Sequence, residues 1–259
     1  MMFALLGYGR FGHAFADLLR EAGHDVRIHD PAVRASVPGA TASLADAVKD
    51  AQWIVLAMPV ARFGDVLDEL RPLLHAEQHA EQTVIDVGSV KQGPCAWMEA
   101  SLGADIPHVG THPLFGPLSL ARGDRPLRVV LCASRHHPDA ARRTRELFES
   151  LDCEVIDRDP AEHDRAMAQT HAMAFFVARA LVDMGIGEDL SMAPPSFKGM
   201  ANMLAAVRGD AGHLFNTIQH ENPYAPEARE QLIEHLVAID RQLREHGEDD
   251  LAIPGPGRV

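Results

Sequence analysis

Cysteine is scarce: Cys95, Cys132 and Cys153 are the three in 259 residues. They sit in no metal or redox spacing, and an odd, scattered set reads as reduced thiols in a cytoplasmic protein. Positive charge is also short, with 24 Lys and Arg against 37 Asp and Glu and a net charge of −13. That balance argues against nucleic acid or an anionic membrane as a main partner. Long apolar runs are absent, so no segment is expected to span a bilayer. No basic segment precedes the short apolar run Met2-Phe3-Ala4-Leu5-Leu6, so no signal peptide is expected. Internal repeats and low-complexity tracts are missing too. The 15 histidines are dispersed. His75 and His79 share a helical face and His136 and His137 are adjacent, but neither pair is set among cysteines or carboxylates, so no metal site is expected.

The apolar run leads directly into Gly7-Tyr8-Gly9-Arg10-Phe11-Gly12, and a helix is expected from Phe11 to Arg20. A strand, a glycine turn and a helix N-terminus form a pyrophosphate cradle. The first glycine permits the turn, the second admits the phosphates and the third lets helix and strand pack closely. Tyr8, Arg10 and Phe11 complete that turn. A second strand, Asp25 to His29, ends at Asp30, where a carboxylate accepts from the ribose 2′-hydroxyl of NAD and repels a 2′-phosphate. The alternative role for Asp30 is to cap the turn at Pro31. NAD is therefore expected over NADP, with Arg34 nearby as the one feature that leaves room for NADP.

Further on, strands are expected at Trp53 to Ala57, Thr83 to Val87, His108 to Gly110, Leu127 to Leu131 and Glu154 to Ile156. Helices are expected between them at Leu44 to Lys49, Phe63 to Leu74, Pro94 to Leu102 and Pro138 to Leu151, and a loop at Pro117 to Pro126. This alternation predicts an α/β fold: a doubly wound, mostly parallel Rossmann-type sheet over residues 1–158. Over residues 159–247 the strands stop. Long helices are expected at His163 to Met184, at Ser196 to His220 with a break near Gly209-Asp210, and at Pro226 to Glu245. Leu232, Leu236, Ile239 and Leu243 form a stripe on the last of these, suited to packing within the chain or against a second subunit. Residues 248–259 read as a mobile tail.

Ligands of a doubly wound sheet bind outside the carboxyl ends of its strands. Those ends are Gly7, Asp30, Met58-Pro59, Gly88-Ser89 and His112. His112, followed by Pro113-Leu114-Phe115-Gly116-Pro117, has its backbone held, as a general base needs. Neutral imidazole suits removal of a hydroxyl proton as hydride leaves. Ser89 suits either a hydrogen bond to the imidazole or substrate, or the N-cap of the following helix. Lys91 suits contact with the nicotinamide ribose or substrate, or a solvated helix start.

Asp86-Val87-Gly88-Ser89-Val90-Lys91 and Gly110-Thr111-His112-Pro113-Leu114-Phe115-Gly116-Pro117, with the glycine turn, resemble the prephenate/arogenate dehydrogenase (TyrA) family. The resemblance continues through His163-Asp164-Arg165, Phe197-Lys198, Leu214-Phe215, Asn222-Pro223-Tyr224-Ala225 and Glu230-Gln231-Leu232. It implies oxidative decarboxylation of prephenate or arogenate in tyrosine biosynthesis, with NAD as cofactor. His112 would contact the ring hydroxyl with Ser89 in support, and the helical part would form a homodimer. His163 is placed at the substrate by the same resemblance. Two departures bear on the substrate. Phe175 stands where family members carry a histidine, with His171 a turn earlier. Ala206 stands where prephenate-type members carry a carboxylate-binding arginine, with Arg179, Lys198 and Arg208 as substitutes. The departures leave two further readings open: a related oxidoreductase acting on another hydroxy acid or cyclohexadienyl compound, and a catalytically silent NAD-binding regulator.

Overall fold

The structure is a computed structural model that describes residues 1–74, 82–209 and 212–245. Seven strands form one sheet: β1 (Met2–Leu6), β2 (Asp25–His29), β3 (Trp53–Leu56), β4 (Thr83–Asp86), β5 (His108–Pro113), β6 (Leu127–Ala133) and β7 (Cys153–Asp157). Their order is β2-β1-β3-β4-β5-β6-β7. Every neighbouring pair is parallel except β5 and β6. The chain leaves β1 in one direction to reach β2 and crosses back to reach β3, so the switch point lies over the carboxyl ends of β1 and β3.

Both faces of the sheet are covered. In β1, Phe3 and Leu5 enter the core shared with α1 (Arg10–Glu21) and α6 (Pro138–Ser150). Ala4 and Leu6 enter the opposite core with α2 (Leu44–Val48), α3 (Phe63–Leu70) and α4 (Gln92–Leu102). Side chains of a strand alternate between faces, so a continuous apolar run is what a sheet buried on both sides requires. Each fully buried Leu or Phe in these layers contributes about 1.5–3 kcal/mol.

The region read as a loop after Pro117 contains a short helix, α5 (Pro117–Arg122), with proline at its first position and Gly123 in the left-handed conformation closing it. Helix α3 stops at Leu70, and Arg71–Leu73 continues as a 3-10 turn around Pro72. His112 lies inside β5 rather than beyond it. Antiparallel pairing with β6 extends the strand, with His112 opposite Val130 and Pro113 opposite Val129.

Helices follow β7. α7 (Pro160–Met167) runs through a π-helical turn, Ala168–Ala172, into α8 (Met173–Asp183), where one helix was expected. Next come α9 (Lys198–Gly209), α10 (His213–Asn216), a second π turn at Thr217–Glu221, and α11 (Ala225–Glu245). Within the described residues the stripe on α11 is left largely open: Leu236, Ile239 and Leu243 are about half exposed, as are Ile233 and Val237, while Leu232 is partly buried. No helix among the described residues is long and apolar enough to cross a membrane. His75, His79 and the expected tail at 248–259 lie outside the described residues.

Candidate active site

The glycine turn sits at the switch point, and two of its glycines are sterically required. Gly7 adopts φ +101°, and a Cβ there would lie 2.7 Å from the Ala57 carbonyl and the Met58 nitrogen. A Cβ at Gly12 would lie 2.4 Å from the Gly7 oxygen. A Cβ at Gly9 would meet nothing within 4 Å, so the space above the turn is open. Gly9 also caps α1 without a side-chain hydrogen bond, which leaves the first-turn N–H groups facing that space. Asp30 takes the capping role expected of it at the turn to Pro31. Its Oδ2 accepts from Tyr8 N–H at 2.7 Å, which holds the carboxylate against the turn, and its Oδ1 accepts from Ala32 N–H at 2.8 Å.

The side chains of the turn face elsewhere. Phe11 stacks on Phe15 at 5.7 Å and packs against Phe115 at 6.2 Å. The Tyr8 ring tilts onto His13. Arg10 donates to the Gly209 carbonyl at the end of α9 and so ties the turn to the helical part. Met58 packs on the second core, and Pro59 precedes a 3-10 turn at Val60–Arg62.

The ends of β4 and β5 hold a buried polar network. Lys91 was expected to touch cofactor or substrate, or to be solvated, and is neither. It is wholly buried, and its ammonium donates to Asp86 and to the Thr111 carbonyl. Asp86 also accepts from the N–H groups of Gly88 at 3.0 Å and Thr111 at 3.1 Å. Burial pushes the Asp86 carboxyl up, and Lys91 with these donors pulls it back. The pair braces the Gly88-Ser89 turn and β5 from beneath. Helix α4 starts at Gln92, so Ser89 is not its N-cap. That role falls to Asp164 of α7, which accepts from Lys91 N–H at 2.8 Å and Gln92 N–H at 2.9 Å. Ser89 stays half-buried beside the crevice.

His112 is nearly enclosed, 5% exposed, and its Nδ1 lies 2.8 Å from His163 Nε2. His163 Nδ1 lies 2.8 Å from Asp164 Oδ1. His171, on the π turn, stacks over His112 at 6.2 Å, and Phe175 meets the His171 edge at 4.9 Å. Burial pushes the His112 imidazole well below its ordinary value, and the Lys91 ammonium, or a proton on His163 or His171, pushes the same way. His171 falls to about 4, mainly through burial. Both rings are therefore neutral at physiological pH, as a proton acceptor must be.

Of the residues expected at the substrate, His171 joins His112, while His163 stands behind it and is 1% exposed. The basic substitutes have other partners. Arg179 pairs with Asp183 and lies over the Phe215 ring. Arg208 donates to the carbonyls of Ile186 and Gly187. Lys198 is exposed at the start of α9. Among the described residues no hydrogen bond, ion pair or ring contact joins these three to His112 or His171. A cavity of about 270 Å³ lined by Cys95, Met98, Glu99, His108 and Cys132 opens at the other end of β5 and is not the crevice.

Asp86, Thr111, Asp164 and Asn222 were missed as site residues. Asn222 donates to the Asp164 carbonyl at 2.8 Å, and Arg165 lies over the Tyr224 ring. The available signal was that the quoted motifs must meet: Asp86 to Lys91 is one strand end, and His163-Asp164-Arg165 and Asn222-Pro223-Tyr224 are the two helical segments that close on it. No group of His, Cys, Asp and Glu among the described residues forms a metal site.

The residues suit a dinucleotide: an uncapped helix N-terminus, an open glycine and an anchored carboxylate at the end of β2. Gln92 Oε1 and His29 Nδ1, each one residue from Lys91 or Asp30, are buried without a partner among the described residues. Comparison with known proteins agrees. Arogenate dehydrogenase 1, chloroplastic, of Arabidopsis thaliana is 27% identical over 248 residues, 91% of this chain. The 4-amino-4-deoxyprephenate dehydrogenase of Streptomyces pristinaespiralis is 28% identical over 238 residues, 89% of this chain and 76% of its own length. The match spans only 38% of the length of the Arabidopsis protein, and 45% of a probable arogenate/prephenate dehydrogenase of Methanocaldococcus jannaschii. The fold is that of the Aquifex aeolicus prephenate dehydrogenase solved with hydroxyphenyl propionate and NAD+, with a TM-score of 0.70 at 22% identity over 95% of this chain and 92% of that one. The family model described as prephenate dehydrogenase, nucleotide-binding domain, matches residues 16–156, more than half of the sequence, and the chain belongs to the prephenate/arogenate dehydrogenase family.

Proposed function

We propose that this protein catalyses the NAD-dependent oxidative decarboxylation of prephenate or arogenate. The observation that carries this reading is a buried, neutral His112 near the carboxyl end of β5, at the same end of the sheet as the open glycine turn, in a family member. When bound, NAD supplies the hydride acceptor. The chain's own residues orient the ring and take the hydroxyl proton, and loss of the ring carboxylate is driven by aromatisation. In this reading His112 is the base. Ser89 holds the substrate hydroxyl or the imidazole, and the Phe175 edge and His171 form one wall. Asp30 supports NAD over NADP, because its carboxylate is fixed beside Tyr8 where a 2′-phosphate would be repelled.

A second reading changes the ring substituent from hydroxyl to amine. It is favoured by the relative from Streptomyces pristinaespiralis, which is matched over 76% of its own length and is described as acting on 4-amino-4-deoxyprephenate. We infer further that the protein is a homodimer in the cytoplasm, with the exposed stripe of α11 in the interface.

His112→Asn tests the role of the base. Turnover should fall by about 10²–10⁴-fold while NAD affinity, measured by calorimetry, stays within about twofold of wild type. Near-normal turnover would remove His112 from the mechanism. In the wild type, kcat/KM should hold level above pH 6.5 as far as this group is concerned and decline only at more acid pH, because burial keeps the imidazole unprotonated.

A further inference from the structure

The resemblance places His163 at the substrate, but its side chain is not accessible, nor is that of its neighbour: His163 is 1% exposed and Asp164 not at all. Their geometry fixes where protons lie. The Asp164 carboxylate accepts from the backbone N–H groups of Lys91 and Gln92, at the start of an eleven-residue helix whose dipole favours a negative charge there. A carboxylate only accepts, so the 2.8 Å contact to His163 Nδ1 puts the His163 proton on Nδ1. With no second proton on its ring, His163 presents a bare Nε2. The 2.8 Å contact from that atom to His112 Nδ1 requires His112 to be the donor. His112 Nδ1 thus carries the proton, and His112 Nε2 carries the lone pair.

We propose that His163 and Asp164 are positioning residues for His112, holding it in the tautomer whose Nε2 is free to accept the substrate proton. This rests on the reading of His112 as the base. In the reaction the O–H (or N–H) bond of the ring substituent breaks and an N–H bond forms at His112 Nε2. The resulting imidazolium keeps its Nδ1–H on His163, with the Asp164 charge behind it. The arrangement is held from outside. Asn222, 1% exposed, donates to the Asp164 carbonyl, and its Oδ1 accepts from Tyr224 N–H at 2.9 Å. The other charged or titratable groups around the two rings are accounted for. Lys91 is paired with Asp86, His171 stacks on the far face of His112, and Arg165 is turned onto the Tyr224 ring. One carboxylate therefore fixes both the support of the base and the start of α4, which follows directly on Ser89 and Lys91. The base and its hydroxyl partner are held in register by the same group.

The test is a comparison of His163→Phe, His163→Gln and His112→Asn on the full chain, with prephenate and arogenate as ring substrates. Phe fills the space but accepts no hydrogen bond, whereas the Gln oxygen still accepts from His112 Nδ1–H. The expected result is a kcat about a hundredfold lower for His163→Phe, recovery to within about tenfold of wild type for His163→Gln, and a KM for NAD within about twofold in both. The acid limb of kcat/KM should move to lower pH in both variants, because the imidazolium of His112 loses its acceptor or the charge behind it. A merely structural role would lower activity without moving that limb. If the limb stays in place or moves to higher pH, His163 is not a neutral acceptor and the proposal fails. It also fails if His163→Phe turns over at the wild-type rate while His112→Asn is inactive. An active His112→Asn would instead overturn the reading of His112 itself. Should His163→Phe not fold, the pH limb of His163→Gln decides.

Discussion

At the scale of single residues, the site depends on buried charge that is matched rather than absent. Lys91 and Asp86 are both fully enclosed and bonded to each other. Replacing one partner leaves the other charge buried and unpaired, which costs about 3–5 kcal/mol. Lys91→Met should therefore lower the unfolding free energy by about that much in denaturant titrations. The double variant Lys91→Met/Asp86→Leu should recover part of it. Equal stability of Lys91→Met and wild type would mean that the ammonium is not where the structure puts it. The places of Gly7, Gly9, Gly12, Asp30 and His112 in the fold were legible because each has a local signature: a turn, a strand end, a rigid following segment. Lys91 was misplaced and Asp164 overlooked for one reason. Asp86 is only five positions from Lys91 and His163 adjoins Asp164, but the contacts that bury them are made with Thr111, 20 positions from Lys91, and between Lys91 and Asp164, 73 positions apart, and no local pattern carries that information.

At the scale of elements, the glycine turn is a packing constraint before it is a binding motif. Gly12 lies where α1 crosses the end of β1, and a Cβ there would stand 2.4 Å from the Gly7 carbonyl. Gly12→Ala must push α1 off the sheet, at a cost of about 1–3 kcal/mol, and should weaken NAD binding by at least about tenfold. Calorimetry showing unchanged NAD affinity in a stable Gly12→Ala protein would contradict the assignment of the turn. The strands and most helices were readable because alternation and 3.6-residue periodicity are strong signals in a sheet buried on both faces. The extension of β5 to Pro113 was not, since it depends on pairing with β6. Nor was the π turn at Ala168–Ala172, because helical periodicity does not record a single extra residue per turn. That turn carries His171 over His112.

At the scale of the whole molecule, the buried histidines set an acid limit to stability. His112 and His171 are held below the ordinary value of 6.5, His171 at about 4. Below pH 6.5 the unfolded chain binds protons there that the native state does not, so stability is full above 6.5 and declines as pH falls toward 4. The His171 shift alone corresponds to at most about 3 kcal/mol, and less because the ring is half-buried. His171→Gln should flatten the dependence of Tm on pH over that window, and an unchanged slope would exclude His171 from it. Helix α11 leaves Leu236, Ile239 and Leu243 about half exposed along one stripe. In the dimer reading, Leu236→Glu/Leu243→Glu should convert a dimer to a monomer in sedimentation. A wild-type monomer at micromolar concentration would contradict it.

In the proposed function the crevice between the glycine turn and His112 oxidises and decarboxylates a cyclohexadienyl ring. The most direct measurement is the rise in reduced-nicotinamide absorbance when the purified protein is mixed with prephenate, arogenate or 4-amino-4-deoxyprephenate, each with NAD and with NADP. Turnover with NAD and one of these rings, with equimolar release of carbon dioxide, is the predicted result. Tight NAD binding with no reduction of NAD or NADP by any of the three would contradict it.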